Sequence, residues 1–106
     1  MTPGTFHHYG VPTGTKHDGE NFLEGAGVHI TDPEAHPYRV EFLRFEAESC
    51  MPAELKNAPH AAFVVEDLDA ALEGKKVVLE PFDATETIRC AFIMDDTALI
   101  ELMQIK

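Results

Sequence analysis

Two imidazole–carboxylate pairs carry the chemistry that this chain offers. The first half contains Phe6-His7-His8-Tyr9-Gly10-Val11 and later Val40-Glu41-Phe42-Leu43. The second contains Pro59-His60-Ala61-Ala62-Phe63-Val64 and later Ile100-Glu101-Leu102-Met103. In each half a histidine opens an apolar run, and a glutamate sits inside a later one. A carboxylate is costly to bury without a partner, so two such pairs in matching places suggest one shared destination. His8, Glu41, His60 and Glu101 form a nitrogen–oxygen ligand set for a divalent metal ion, Zn, Ni, Co, Mn or Fe. Such a set leaves room on an octahedral ion for water or substrate oxygens. The ion would polarise a carbonyl or stabilise an enediolate, with Glu41 or Glu101 as the proton carrier.

Other polar residues have plainer readings. His7 faces away from His8 on an ideal strand and becomes the ligand instead if the register slips. Arg39 shares the face of Glu41 on such a strand, where it would pair with that glutamate or bind a substrate carboxylate. His17 lies in a polar loop, His29 in a hairpin, and His36 before Pro37 in an exposed turn; Tyr38 and Cys90 read as core or rim residues. The chain has no glycine-rich phosphate loop before a helix, no nucleophile elbow and no Cys-x-x-Cys motif.

The elements that position these residues are mostly strands. Residues 6–11 read as a strand ended by Pro12, residues 16–21 as a loop, and residues 22–31 as a strand interrupted by Gly25 and Gly27. After a turn at residues 32–37, residues 38–46 alternate, so residues 22–46 predict a hairpin. Residues 49–58 form a linker with a short helix near 52–56. A strand follows at 60–65, then a helix capped by Asp67 and ending before Gly74. A strand at 76–79 is stopped by Pro81, and strands at 88–94 and 98–105 are joined by Asp95-Asp96-Thr97. His8 and Glu41 are 33 positions apart, His60 and Glu101 are 41. The deficit falls where a helix and a second strand would belong in the first half.

Composition sets the outer limits. A chain of 106 residues has the length of a single domain. With a formal net charge of −11, it is unsuited to nucleic acid or an anionic membrane surface. Two distant cysteines and a start, Met1-Thr2-Pro3-Gly4, without basic or apolar character predict a cytoplasmic, reduced protein.

The second half, from Pro59-His60-Ala61-Ala62-Phe63-Val64-Val65-Glu66-Asp67-Leu68-Asp69-Ala70-Ala71 through Ile88-Arg89-Cys90-Ala91-Phe92-Ile93-Met94-Asp95-Asp96-Thr97-Ala98-Leu99-Ile100-Glu101-Leu102, resembles the vicinal oxygen chelate superfamily. That superfamily includes glyoxalase I, bleomycin-resistance proteins, methylmalonyl-CoA epimerase and extradiol dioxygenases. The resemblance covers roughly the last 48 residues well and the first half loosely. It implies an α+β fold of paired βαβββ modules in a curled mixed sheet around a cleft. A shortened first module (1–48) and a linker (49–58) would precede the second module (59–106) in one glyoxalase-like domain. It implies metal ligands at His8, Glu41, His60 and Glu101, with Glu41 and Glu101 catalytic, and a homodimer whose partner chain could complete the trimmed first module. The Asp95-Asp96-Thr97-Ala98 turn departs from the family's usual Asp-Pro-Asp-Gly.

These readings combine into a metal-dependent lyase or isomerase of the glyoxalase type. It would act on a small oxygenated substrate through a metal-stabilised enolate or enediolate. The alternatives are a metal-free, drug-sequestering binding protein and an iron-dependent extradiol-type dioxygenase.

Overall fold

The computed structural model describes residues 4–106, so the reading of Met1, Thr2 and Pro3 as free of a leader lies outside the described residues. Eight strands form one curled mixed sheet: β1 Thr5–Pro12, β2 Asn21–Leu23, β3 Val28–Ile30, β4 Val40–Phe45, β5 His60–Val64, β6 Lys76–Asp83, β7 Ile88–Asp95 and β8 Ala98–Ile105. Two short helices join them, α1 Ala53–Asn57 and α2 Leu68–Leu72. The strand order is β2-β3-β4-β1-β5-β8-β7-β6. Exchanging β1–β4 for β5–β8 in sequence reproduces the same order read backwards. The internal repeat is therefore real, and β1 and β5 lie antiparallel at its centre. Each module also contains one parallel pair, β1 with β4 and β5 with β8.

Alternation gives the sheet two different faces. On the outer face of the second module, Leu68 of α2 packs on Ala91, Ile93 and Leu102. Helix α2 starts where the sequence predicts: the Asp67 carboxylate accepts the Ala70 N–H at 3.1 Å, and Gly74 past the end has φ +73°. On the inner face Ala62, Cys90, Phe92, Leu99 and Met103 meet Leu55 of α1. Ala26, Val28 and Leu43 continue that apolar lining into the first module.

Several expected elements differ. Residues 22–31 are two strands, β2 and β3, folded on each other around a 3-10 turn at Glu24–Ala26. Gly27 ends that turn at φ +61°, where a Cβ would come within 3.0 Å of Ser49, so glycine meets both the backbone and the packing demand. The expected hairpin is thus a three-stranded meander, β2-β3-β4. The first module keeps its second strand in a three-residue form and lacks only the helix. In the second module β6 continues through Pro81 to Asp83. Because β6 is the sheet edge and its pairing with β7 is irregular between Leu79 and Phe82, a residue without an N–H is accommodated there.

Candidate metal centre

Backbone register gathers the four predicted residues. Gly10 of β1 stands between Glu41 of β4 and His60 of β5, and Ala62 of β5 stands between His8 of β1 and Glu101 of β8. Two adjacent rows across four neighbouring strands thus carry Glu41–Gly10–His60 and His8–Ala62–Glu101, related by the repeat. The intervening residues have to be small. A Cβ on Gly10 would collide with the His60 imidazole, and Ala62 is fully buried.

All four side chains are buried, the histidines 2% exposed and the glutamates 8%. Glu101 Oε1 lies 3.1 Å from His60 Nε2 and 3.4 Å from His8 Nε2, and Glu41 Oε1 lies 3.5 Å from His8 Nε2. Yet His8 Nε2 and both ring nitrogens of His60 have no hydrogen-bond partner. Buried imidazole nitrogens without partners are rare, and here His8 Nε2 and His60 Nε2 face carboxylates. One ligand atom each from His8, His60 and Glu101 lies within 4.8 Å of the others, so these three residues could hold a metal ion. Glu41 stands beside that triad through His8. Two imidazoles and one or two carboxylates suit a first-row divalent ion, and a bound cation would satisfy one orphaned nitrogen on each ring.

The carboxylates have opposite acidities. Burial raises Glu41 to about 7; His8 opposes the shift, and Glu101 and Asp32 add to it. Burial also pushes Glu101 upward, but the close approach of His60 and His8 outweighs it and holds the group at about 2. Cys90, on the same inner face, has its thiol pushed well up by burial and by the neighbouring Glu101 charge, so it is an inert core residue.

His7 is neither a replacement ligand nor turned away. The pairing of β1 with β5 slips between Phe6 and His8, which makes His7 the extra residue of a bulge. The bulge brings both imidazoles to one side: His7 Nδ1 and His8 Nδ1 lie 2.8 Å apart, one donating to the other. His8 keeps Nε2 for the cluster, and His7 fixes the ring from behind. Burial lowers the His7 pKa, with His8 and Arg39 adding to the effect.

Arg39 does not share the face of Glu41. It precedes β4 with φ +57°, outside extended geometry. Its Nε donates to the His7 carbonyl, while its own carbonyl accepts the Tyr9 N–H at 2.9 Å. It braces the bulge. His17 stacks on Phe42 at 4.6 Å and His29 pairs with Glu46, both away from the cluster. His36 is half-buried near Phe42, and Tyr38 is 81% exposed rather than core or rim.

A cavity of about 250 Å³ opens onto the cluster. His7, His8, Glu41 and Glu101 line its inner end, and its walls are mostly apolar. Two of its apolar contributors, Met51 and Leu55, come from the segment read as a linker. In the sequence this contribution shows only as apolar residues in a polar stretch.

No family model matches the chain, and no curated protein matches it. Among solved structures, the fold is similar to that of a hypothetical protein from Bacillus halodurans, at a TM-score of 0.70 and 16% identity. The match covers 99% of this chain and 96% of that one. At that identity the likeness establishes the fold: an α+β curled mixed sheet of paired modules around a cleft, with the first module shortened.

Proposed function

We propose that this protein is a metal-dependent lyase or isomerase of the glyoxalase type, in the vicinal oxygen chelate superfamily, acting on a small oxygenated substrate. The observation that carries the reading is the convergence of two unpartnered buried imidazole nitrogens, His8 Nε2 and His60 Nε2, on Glu101 Oε1 at the end of a cavity. His8, His60 and Glu101 would hold a Zn, Ni, Co or Mn ion. A bound divalent ion supplies polarisation of substrate oxygens and stabilisation of enolate or enediolate charge. Glu41, beside the triad and facing the cavity, takes a proton from the substrate carbon at a carboxylate oxygen and returns it. The apolar walls exclude water from that exchange, and His7 keeps His8 in the tautomer with Nε2 directed at the cluster. In this reading the protein works as a homodimer, with a partner chain completing the open side of the trimmed first module.

One observation favours a second reading. A tight group of two histidines and one carboxylate is also the ligand set of iron-dependent oxygenases.

Elemental analysis of untagged protein, wild type against His60→Ala, tests both. Near-stoichiometric Zn, Ni, Co or Mn, lost in the variant, is expected. Iron would favour the dioxygenase. No metal, even after adding it back, would overturn both and leave a binding protein. Glu41→Gln should then keep the metal and lose turnover, whereas Glu101→Gln should lose the metal.

A further inference from the structure

The geometry points to an uncharged ligand with an apolar body about the size of one aromatic ring and oxygen donors at one end, and to rejection of anionic ligands by the same cavity. The inference rests on the metal-centre reading for its oxygen-binding end and on the cavity walls for the rest.

The first argument is charge. Among the described residues, no lysine or arginine lines the cavity, whereas Asp32, Glu34, Glu41 and Glu101 do. Glu41 and Glu101 together match the charge of a divalent ion, so a loaded inner end has nothing left to offset an incoming carboxylate or phosphate. Asp32 and Glu34, exposed on their own loop, add repulsion at the rim. Arg39, the one cation that the sequence placed near Glu41, is engaged with the His7 carbonyl and does not line the cavity. A buried anion without a partner is strongly disfavoured.

The second argument is size and polarity. Leu43, Phe45, Leu55, Phe82, Ile88 and Phe92 supply a wall suited to dispersion contacts. An apolar cavity of about 150 Å³ accommodates benzene, so about 250 Å³ takes a ring with a two-carbon oxygenated arm. A thioester carrying a long anionic carrier does not match these walls. The third argument is direction: the polar groups His8, Glu41 and Glu101 converge at one end, so the oxygens enter first and the apolar body fills the space behind.

Three probes of one shape separate the charge states: neutral 2-hydroxyacetophenone, anionic mandelate and cationic 2-amino-1-phenylethanol. Each is titrated calorimetrically into the full chain, Zn-loaded and metal-free, at about 0.15 M salt. The neutral probe should bind at least about tenfold more tightly than mandelate in both states. In the Zn-loaded protein it should also bind more tightly than the amine, whose ammonium has no lone pair for the ion. Thr85→Arg, an exposed position on the cavity lining, should raise mandelate affinity and place the ligand in this cavity. Glu34→Arg at the rim should act in the same direction. Mandelate binding as tightly as the neutral probe, or the amine doing so in the Zn-loaded protein, would overturn the inference, as would failure of all three to bind at millimolar concentration. If the chain takes up no metal, the metal reading fails by itself. The order of neutral over anionic in metal-free protein then still decides the ligand class, because no lysine or arginine lines the cavity in either state.

Discussion

At the scale of single residues, the site depends on one missing side chain as much as on the four present. The His60 ring occupies the space where a Cβ on Gly10 would stand. Gly10→Ala should therefore displace His60 and reduce metal stoichiometry severely while the sheet persists; full metal content in a folded Gly10→Ala protein would refute this. His7 supports His8 from the far ring nitrogen, and losing such a support costs roughly 10- to 100-fold in metal affinity. His7→Phe should show that loss in competition with a metallochromic chelator, and His7→Gln a smaller one. Glu41 makes the metal-free protein pH-sensitive. Its pKa is raised from 4.5 to about 7, so its contribution to stability is full below about pH 4.5 and lost as pH rises through 7. Glu101 is lowered to about 2, so its contribution holds above pH 4.5 and is lost as pH falls toward 2. The melting temperature of metal-free protein should fall between pH 5 and 7.5, and Glu41→Gln should flatten that fall; an unchanged slope would show that Glu41 is not the titrating group.

At the scale of elements, legibility followed local chemistry. Helix α2 was readable because Asp67 caps it and Gly74 closes it. Asp67→Ala should cost about 1 kcal/mol and lower the melting temperature by roughly 4–8 °C. Metal uptake should be unchanged, since α2 packs on the outer face. A loss of metal in this variant would show that the two faces are coupled. Strands β1, β5, β7 and β8 were legible as apolar runs bounded by turn residues and β4 from alternation, and with them the placing of His8, Glu41, His60 and Glu101. Strands β2 and β3 were not, because three residues each are too few to alternate and a 3-10 turn hides the break between them. Pro81 misled because a proline stops a central strand but not an edge. The roles of His7 and Arg39 were illegible for one reason: both depend on a bulge that only the pairing of β1 with β5 creates. The same holds for Leu55, which gains its place in the cavity only when α1 folds under the sheet.

At the scale of the molecule, the repeat explains why a metal centre would form here and not elsewhere. The palindromic strand order puts β1 and β5 side by side, so the inward rows of both modules meet at the junction. His8 comes from the first module and His60 and Glu101 from the second. A bound ion would therefore tie the two modules together; among the described residues, no helix is long and apolar enough to cross a membrane. Binding only to the folded state at a free metal concentration 100 times the Kd adds about 2.7 kcal/mol. For a domain of this size that is a rise of roughly 10–20 °C in melting temperature. Because the ion bridges modules, its stabilisation should reach both. Amide hydrogen exchange with and without Zn should show added protection in β1 as well as in β5 and β8, and His60→Ala should abolish the gain in all three. Added protection confined to β5 and β8 would mean that His8 is not a ligand and that the centre belongs to the second module alone.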